Sequence, residues 1–250
     1  MQLVGSIVLA AGHRPFFDTS RYSVARIIWY SGGFLLWTPA YVAIIVRSFR
    51  RRELEEPALA ACGNIAWEFY WGFFVRVDMG WGLQFIYIGA FVLDCLILLN
   101  VFRLGWKQSR FVDLRNVWPL LMVGSLAALV AFNWSLRRSG YDLPLGSNSA
   151  YVDNILVSGL YLWFGLSRPV PSLSFTVSWS KFLGTGMVSV FVFLEYPHNS
   201  FIHTLAILTA VLDLSYFVVL VVRRRRGAVV AGATTATGDA AAMAATAGAS

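Results

Sequence analysis

One segment of this sequence places a carboxylic acid where acids are expensive. Residues 63–74 read GNIAWEFYWGFF, which puts Glu68 among aromatic rings in a stretch apolar enough to lie inside a bilayer. A charged carboxylate near the bilayer centre costs about 2.5 to 3.5 kcal/mol on insertion scales, so such a residue faces a protein interior or a cavity and has a function by default. On a helix, Asn64 and Trp71 share the face of Glu68, being four residues before it and three after. Trp67 and Tyr70 flank that face. The pattern is that of a polar site with aromatic walls.

Two further acids lie in apolar runs. Asp213 has Thr209 and Tyr216 on its own helical face, and Asp94 has Tyr87 two turns away. Each has a structural alternative, because a buried acid can serve only to hydrogen-bond a neighbouring helix. The stripe Asn154, Ser158 and Tyr161 is open in the same way: it can line a cavity or tie helices together at about 0.6 to 2 kcal/mol per bond. Glu195, Asp78 and Asp153 fall at or near the outer interface. No nucleophile, metal cluster or phosphate-binding loop accompanies the central acids. Chemistry that suits them is protonation of an alkene or epoxide, which creates a carbocation. Desolvation favours the neutral, proton-carrying form of an acid, and adjacent acids titrate together. Ring faces steady a cation by about 0.5 to 2 kcal/mol per good contact, and a closed cavity keeps water from quenching it.

The elements that must hold these residues follow from hydropathy. With 58% hydrophobic and only 13% charged residues, and a mean hydropathy of +0.64, the chain is far more apolar than a soluble domain. It is an integral membrane protein. Apolar segments at 27–46, 57–75, 83–102, 117–136, 151–166, 175–194 and 201–222 predict seven transmembrane helices joined by short connections. The fold class is therefore all-α, one membrane bundle. Pro39 is expected to kink the first helix. Residues 1–26 read as an extracytosolic interfacial segment, since the apolar run 3–11 is too short to span; 27–222 form the bundle; 223–250 are a basic stop followed by a disordered Ala/Gly/Thr tail. Basic residues concentrate on the odd-to-even loops and after the last helix, including Arg47, Arg50–Arg52, Arg103, Lys107, Arg110, Arg115 and Arg223–Arg226. By the positive-inside rule the amino terminus is outside and the carboxyl terminus cytoplasmic, in a multi-pass cell-membrane protein. That topology accounts for the net charge of +7 without a nucleic-acid partner. Lys181, just inside the sixth span, is expected to snorkel to the cytoplasmic interface. At 1.5 Å per residue, Glu68 and Asp213 both lie roughly 16 to 18 Å from their helix ends. Asp94 falls at a similar depth, so the three acids can share one pocket.

Seven spans, the Gly63-Asn64-Ile65-Ala66-Trp67-Glu68 run on the second helix and Asp213 on the seventh resemble the small integral-membrane terpene cyclases. These are known from fungal meroterpenoid and indole-diterpene pathways and from bacterial relatives that make drimane-type indole sesquiterpenoids. The resemblance covers about 27–222, and its most specific motif is the Trp67-Glu68 pair. It implies that Glu68 and Asp213 are the catalytic acids. Asn64, Trp67, Tyr70, Trp71, Asp94, Tyr161 and Tyr216 are then the candidates for holding the substrate and the cation. The expected reaction protonates the terminal alkene or epoxide of a prenylated, farnesylated indole-type or other aromatic substrate and closes fused rings. An Arg-rich composition favours the bacterial, alkene-protonating kind. No metal or other cofactor is implied, since no Asp-rich diphosphate-ionising motif exists, and no obligate protein partner beyond the lipid bilayer. A proton-coupled seven-helix transporter is the alternative from another class, although no repeat of helices one to three in five to seven is visible.

Overall fold

The structure is a computed structural model and describes residues 14–108 and 113–247; the interfacial run expected at 3–11 lies outside them. Seven α-helices follow in order: α1 (Val24–Arg51), α2 (Ala58–Phe73), α3 (Trp81–Leu104), α4 (Trp118–Arg138), α5 (Ser147–Ser167), α6 (Phe175–Glu195) and α7 (Ser200–Ala247). Short 3-10 turns lie between some of them, and no strand occurs among the described residues. The all-α bundle of seven helices expected from hydropathy is the architecture found. No break in α7 marks the expected boundary at 223.

Five helices, α1, α3, α4, α6 and the 200–226 part of α7, are long and apolar enough to cross a membrane. The other two are interior helices. With 16 residues, α2 is about 24 Å long, shorter than the roughly 30 Å hydrocarbon core. It avoids lipid because α3, α4 and α5 pack around it, and its Ala60, Ala61, Gly63 and Ala66 let those neighbours approach closely. α5 begins with Ser147, Asn148 and Ser149, all buried, and is too polar to face lipid on every side. Going round the bundle, α1 packs on α3, α3 on α2, α2 on α5, α5 on α7, α7 on α6, and α6 back on α1, while α4 lies outside the ring against α2. Leu120, Leu121, Val123 and Trp134 of α4 accordingly face outward.

Pro39 lies inside α1, and the turn around it is tied to α6. The Ala40 amide donates to Ser180 Oγ at 3.2 Å. That hydroxyl donates in turn to the Leu36 carbonyl, so a side chain of α6 is hydrogen-bonded to both sides of the proline turn. At the amino-terminal end of α1, Arg26 pairs with Glu195 of α6 at 3.1 Å. A turn before α5 closes the bundle from that side. Its Leu145 has φ of 67°, a left-handed conformation unusual for a branched residue. Two hydroxyls hold it there, with Tyr30 and Tyr87 donating to the Leu145 carbonyl at 3.1 and 3.0 Å.

Candidate active site

Inside the ring lies a cavity walled by Tyr30, Phe34, Trp37 and Tyr41 of α1, Asn64, Trp67 and Glu68 of α2, Tyr151, Asp153 and Asn154 of α5, and Thr185 and Val188 of α6. Its surface is mainly aromatic. The Trp67 ring is stacked on Trp71, with centroids 6.1 Å apart, and meets Tyr87 edge-on at 4.9 Å. Its indole nitrogen donates to Ser149 Oγ at 2.9 Å, which ties the aromatic wall to the start of α5. Tyr151 is fixed by Ser189, their hydroxyl oxygens 2.7 Å apart.

Glu68 is one of two acids that line this cavity. It is 3% exposed, and its Oε1 accepts a hydrogen bond from the Tyr41 hydroxyl at 2.8 Å. The Asp94 carboxyl of α3 adjoins it. At the geometry present the two carboxyls do not complete a well-formed hydrogen bond, and Glu68 Oε2 and both Asp94 oxygens have no such partner. Among the described residues no cation pairs with either acid. Charging both of two adjoining buried carboxyls would be costly, since their repulsion would go uncompensated. Asp153 completes the acidic wall. The sequence suggested the outer interface for it, but it borders the cavity, because α2 presents Gly63 at the crossing and any larger residue would strike the Asp153 carboxylate.

Asp213 is held differently. Lys181 of α6 donates to Asp213 Oδ1 at 2.5 Å and to Ser158 Oγ at 2.6 Å, and both partners of the ion pair are buried. The snorkelling expected of Lys181 is therefore corrected: its side chain points into the bundle, where a carboxylate and a hydroxyl compensate its charge. Its nitrogen lies 5.4 Å from the Trp37 ring. Lys181 also borders a second, much smaller space, with room for about one water molecule and with Trp37, Tyr41, Glu56, Asn64 and Tyr161 among its walls. The two chambers share Trp37, Tyr41 and Asn64. Asp213 lines neither, and the structure brings Glu68 together with Asp94 rather than with Asp213.

A sequence model of the Pyr4-like transmembrane terpene cyclases matches residues 19–226, the whole ring and its cavity. The chain belongs to that family. Among its relatives are a Pyr4-family terpene cyclase, mfmH, of Annulohypoxylon moriforme, 28% identical over 73% of this chain and 79% of the relative, and the terpene cyclase andB of Emericella variicolor, 26% identical over 66% and 71%. The Asnovolin H synthase nvfL of Aspergillus novofumigatus is 25% identical over 66% and 68%. No solved structure is significantly similar to the chain.

Seen as a membrane terpene cyclase, the chain distributes its expected site residues unevenly. Asn64, Trp67 and Glu68 line the main cavity. Tyr70 does not: two residues past Glu68, it is turned about 200° away and borders an outward-facing groove with Phe69, Phe74 and Trp134. Trp71 lies one turn further out, buried behind Trp67 with the Arg137 guanidinium 5.7 Å from its ring centroid. Tyr161 belongs to the second chamber, and Tyr216 packs beside it with ring centroids 5.4 Å apart. Asn64 does not bond Glu68; its Nδ2 donates to Glu56 Oε1 at 3.1 Å. Tyr41, Lys181 and Glu56 also border these spaces, and the linear pattern offered none of them as a site residue. Lys181 and Glu56 carried a visible signal as charged residues beside apolar runs. Tyr41 carried none, since a tyrosine in a span is unremarkable until its partner is known.

Proposed function

We propose that the chain is a proton-initiated cyclase that acts on a prenylated aromatic compound, farnesylated and indole-type in the first instance. Glu68 gives its proton to the terminal alkene carbon, or to the oxygen of a terminal epoxide. Electrons of the inner alkenes then close carbon–carbon bonds, and the last cation returns a proton to the site. The reaction is an isomerisation and consumes no co-substrate. The observation that carries this proposal is Glu68 at the wall of an aromatic cavity, uncompensated by any cation and backed by Asp94. Tyr30, Phe34, Trp37 and Trp67 offer ring faces to the positive charge as it moves, and exclusion of water delays quenching. Asp213 belongs to the same machinery through Lys181. The enzyme sits in the cell membrane with its amino terminus outside and its carboxyl terminus cytoplasmic, and the Ala/Gly/Thr tail forms no part of the catalytic unit; the distribution of arginines supports that orientation.

The test is to incubate membranes containing the protein with 3-farnesylindole and with its terminal epoxide, and to look for isomeric fused-ring products. Conversion of either supports the assignment and identifies the initiating group. Accumulation of unchanged substrate inside sealed vesicles, without conversion, would favour a carrier, for which none of the relatives gives support. Failure of both substrates to react or move would refute the farnesylindole assignment.

A further inference from the structure

Asp153 of α5 lines the main cavity together with Glu68, and the proton transfer proposed above gives it no task. Contacts between α5 and α2 set its place. Trp67 of α2 donates to Ser149 of α5. One turn further along the same face of α5, Asp153 lies against Gly63, one turn before Trp67. The two helices therefore run antiparallel here, and a side chain at 63 would displace the carboxyl. That seat does not satisfy the group it holds. Among the described residues no cation pairs with Asp153, and its Oδ1 is buried without a partner. Leaving a buried acceptor unpaired costs roughly 1 to 3 kcal/mol, a cost that a purely structural acid avoids by bonding a neighbour, as Asp213 does with Lys181.

The two acids of the cavity differ in level and in surroundings. Gly63 and Glu68 are five residues apart on α2, about 7.5 Å along its axis, so the two carboxyls come from different levels of the bundle. Glu68 adjoins the carboxyl of Asp94. The positive charge that acts on Asp153 is that of Lys181, which is bonded to Ser158, five residues further along α5. A carboxyl near positive charge releases its proton more readily than one beside another acid, and two acids placed in this way can divide the donor and acceptor roles.

We propose that Asp153 is the base that ends the cyclisation. A C–H bond next to the last cation breaks, its electron pair becomes the new C=C bond, and the proton goes to the Asp153 carboxylate, while Glu68 remains as the carboxylate left by the first step. Once product has gone, water entering the cavity carries the proton from Asp153 back to Glu68, and no other reactant is consumed. This inference rests on the cyclase reading above and adds to it the residue that selects which alkene is formed.

The test compares the alkene isomers made from 3-farnesylindole, or from its terminal epoxide, by the native protein and by Asp153→Asn, which keeps the size of the side chain and cannot take the proton. The share of the native alkene among all cyclised products is expected to fall at least about tenfold, a fraction of the roughly 100-fold or more that a positioned base contributes. Other alkenes and hydrated material should take its place. Asp153→Glu, which restores a carboxylate, should recover part of that share. A second measurement uses the native protein alone: substrate deuterated at the carbons next to the last cation should lose label from one of them only, and it decides the matter if Asp153→Asn yields no product. An unchanged alkene share in Asp153→Asn, or loss of label from those carbons in statistical proportion, overturns the assignment and leaves the cyclase reading standing. Absence of any cyclisation by the native protein refutes that reading, and the base with it.

Discussion

The Tyr41 hydroxyl of α1 donates to Glu68 Oε1 of α2 at 2.8 Å. Tyr41 occupies one oxygen of the acid and leaves the other, Oε2, without a partner, the oxygen that carries the proton in the mechanism proposed above. Tyr41→Phe keeps the ring and removes the donor. Cyclisation is expected to fall about tenfold, the range of one hydrogen bond to a carboxyl group, with the product pattern unchanged. A rate equal to that of the native protein would remove Tyr41 from the donor assembly.

Glu68→Gln preserves volume and cannot supply an acidic proton. Loss of at least about 100-fold is expected, the lower range for removal of a general acid, in protein that still elutes as a single species in detergent. Asp94→Asn retains a polar group beside Glu68 and should cost less, on the order of tenfold. Product chromatography on both variants checks the ranking. If Asp94→Asn proves the more damaging, Asp94 is the donor and Glu68 its support.

Lys181 and Asp213 are expected to behave as a unit. Lys181→Met strands a buried carboxylate and should destabilise the protein by about 3 to 5 kcal/mol, the usual cost of breaking a buried ion pair from one side. Adding Asp213→Asn to that variant should recover most of the loss. Thermal unfolding in detergent measures both, and a double variant no more stable than Lys181→Met would show that the pair is not energetically coupled. Asp213→Asn alone, which leaves Lys181 without its counter-ion beside the second chamber, is expected to abolish nearly all cyclisation.

The two indoles near Glu68 should separate by function. Trp67 lines the cavity, so Trp67→Leu keeps bulk, removes a ring face and is expected to divert product toward monocyclic or hydrated material. Trp71 is fully buried behind it, and Trp71→Leu should lower thermal stability while leaving the product ratio nearly intact. A product shift in Trp71→Leu comparable with that in Trp67→Leu would contradict the placement.

Glu55, in the connection between α1 and α2, links stability to pH. Burial pushes its carboxyl from the usual 4.5 up to about 7, even though Arg47 and the Ser174 amide pull it down. Between those two values the folded protein holds a proton that the unfolded chain has released. Stability therefore falls as pH rises from about 4.5 to about 7 and levels off above it. Glu55→Gln should flatten this slope in thermal unfolding. A slope identical to that of the native protein would assign it to another group.

How much of this was legible in the sequence differs from residue to residue. Membrane residence, the seven helices and the singularity of Glu68 depend on composition along the chain, because a bilayer acts on each segment through length and polarity alone. Depth was legible only in part: rise per residue is fixed, and it set Glu68 and Asp94, whose carboxyls adjoin, at one level, but it put Asp153 at the outer interface, whereas Asp153 borders the cavity. What a side chain at that level faces is a matter of azimuth and of which helices are neighbours, and neither is encoded locally. Lys181 illustrates the limit. Its position near a helix end predicts snorkelling, whereas the packing of α6 against α7 puts Asp213, 32 residues further on, within 2.5 Å of its nitrogen, so turning inward satisfies the charge. Tyr70 and Trp71 illustrate it again: four aromatic residues within one turn and a half cannot all see the cavity, and only the arrangement of α3, α4 and α5 around α2 selected Trp67. The sequence by itself determined that a membrane bundle must contain an acid in an aromatic setting. Tertiary structure decided which acid meets the cavity and which is neutralised, because those outcomes depend on contacts between helices far apart in the chain.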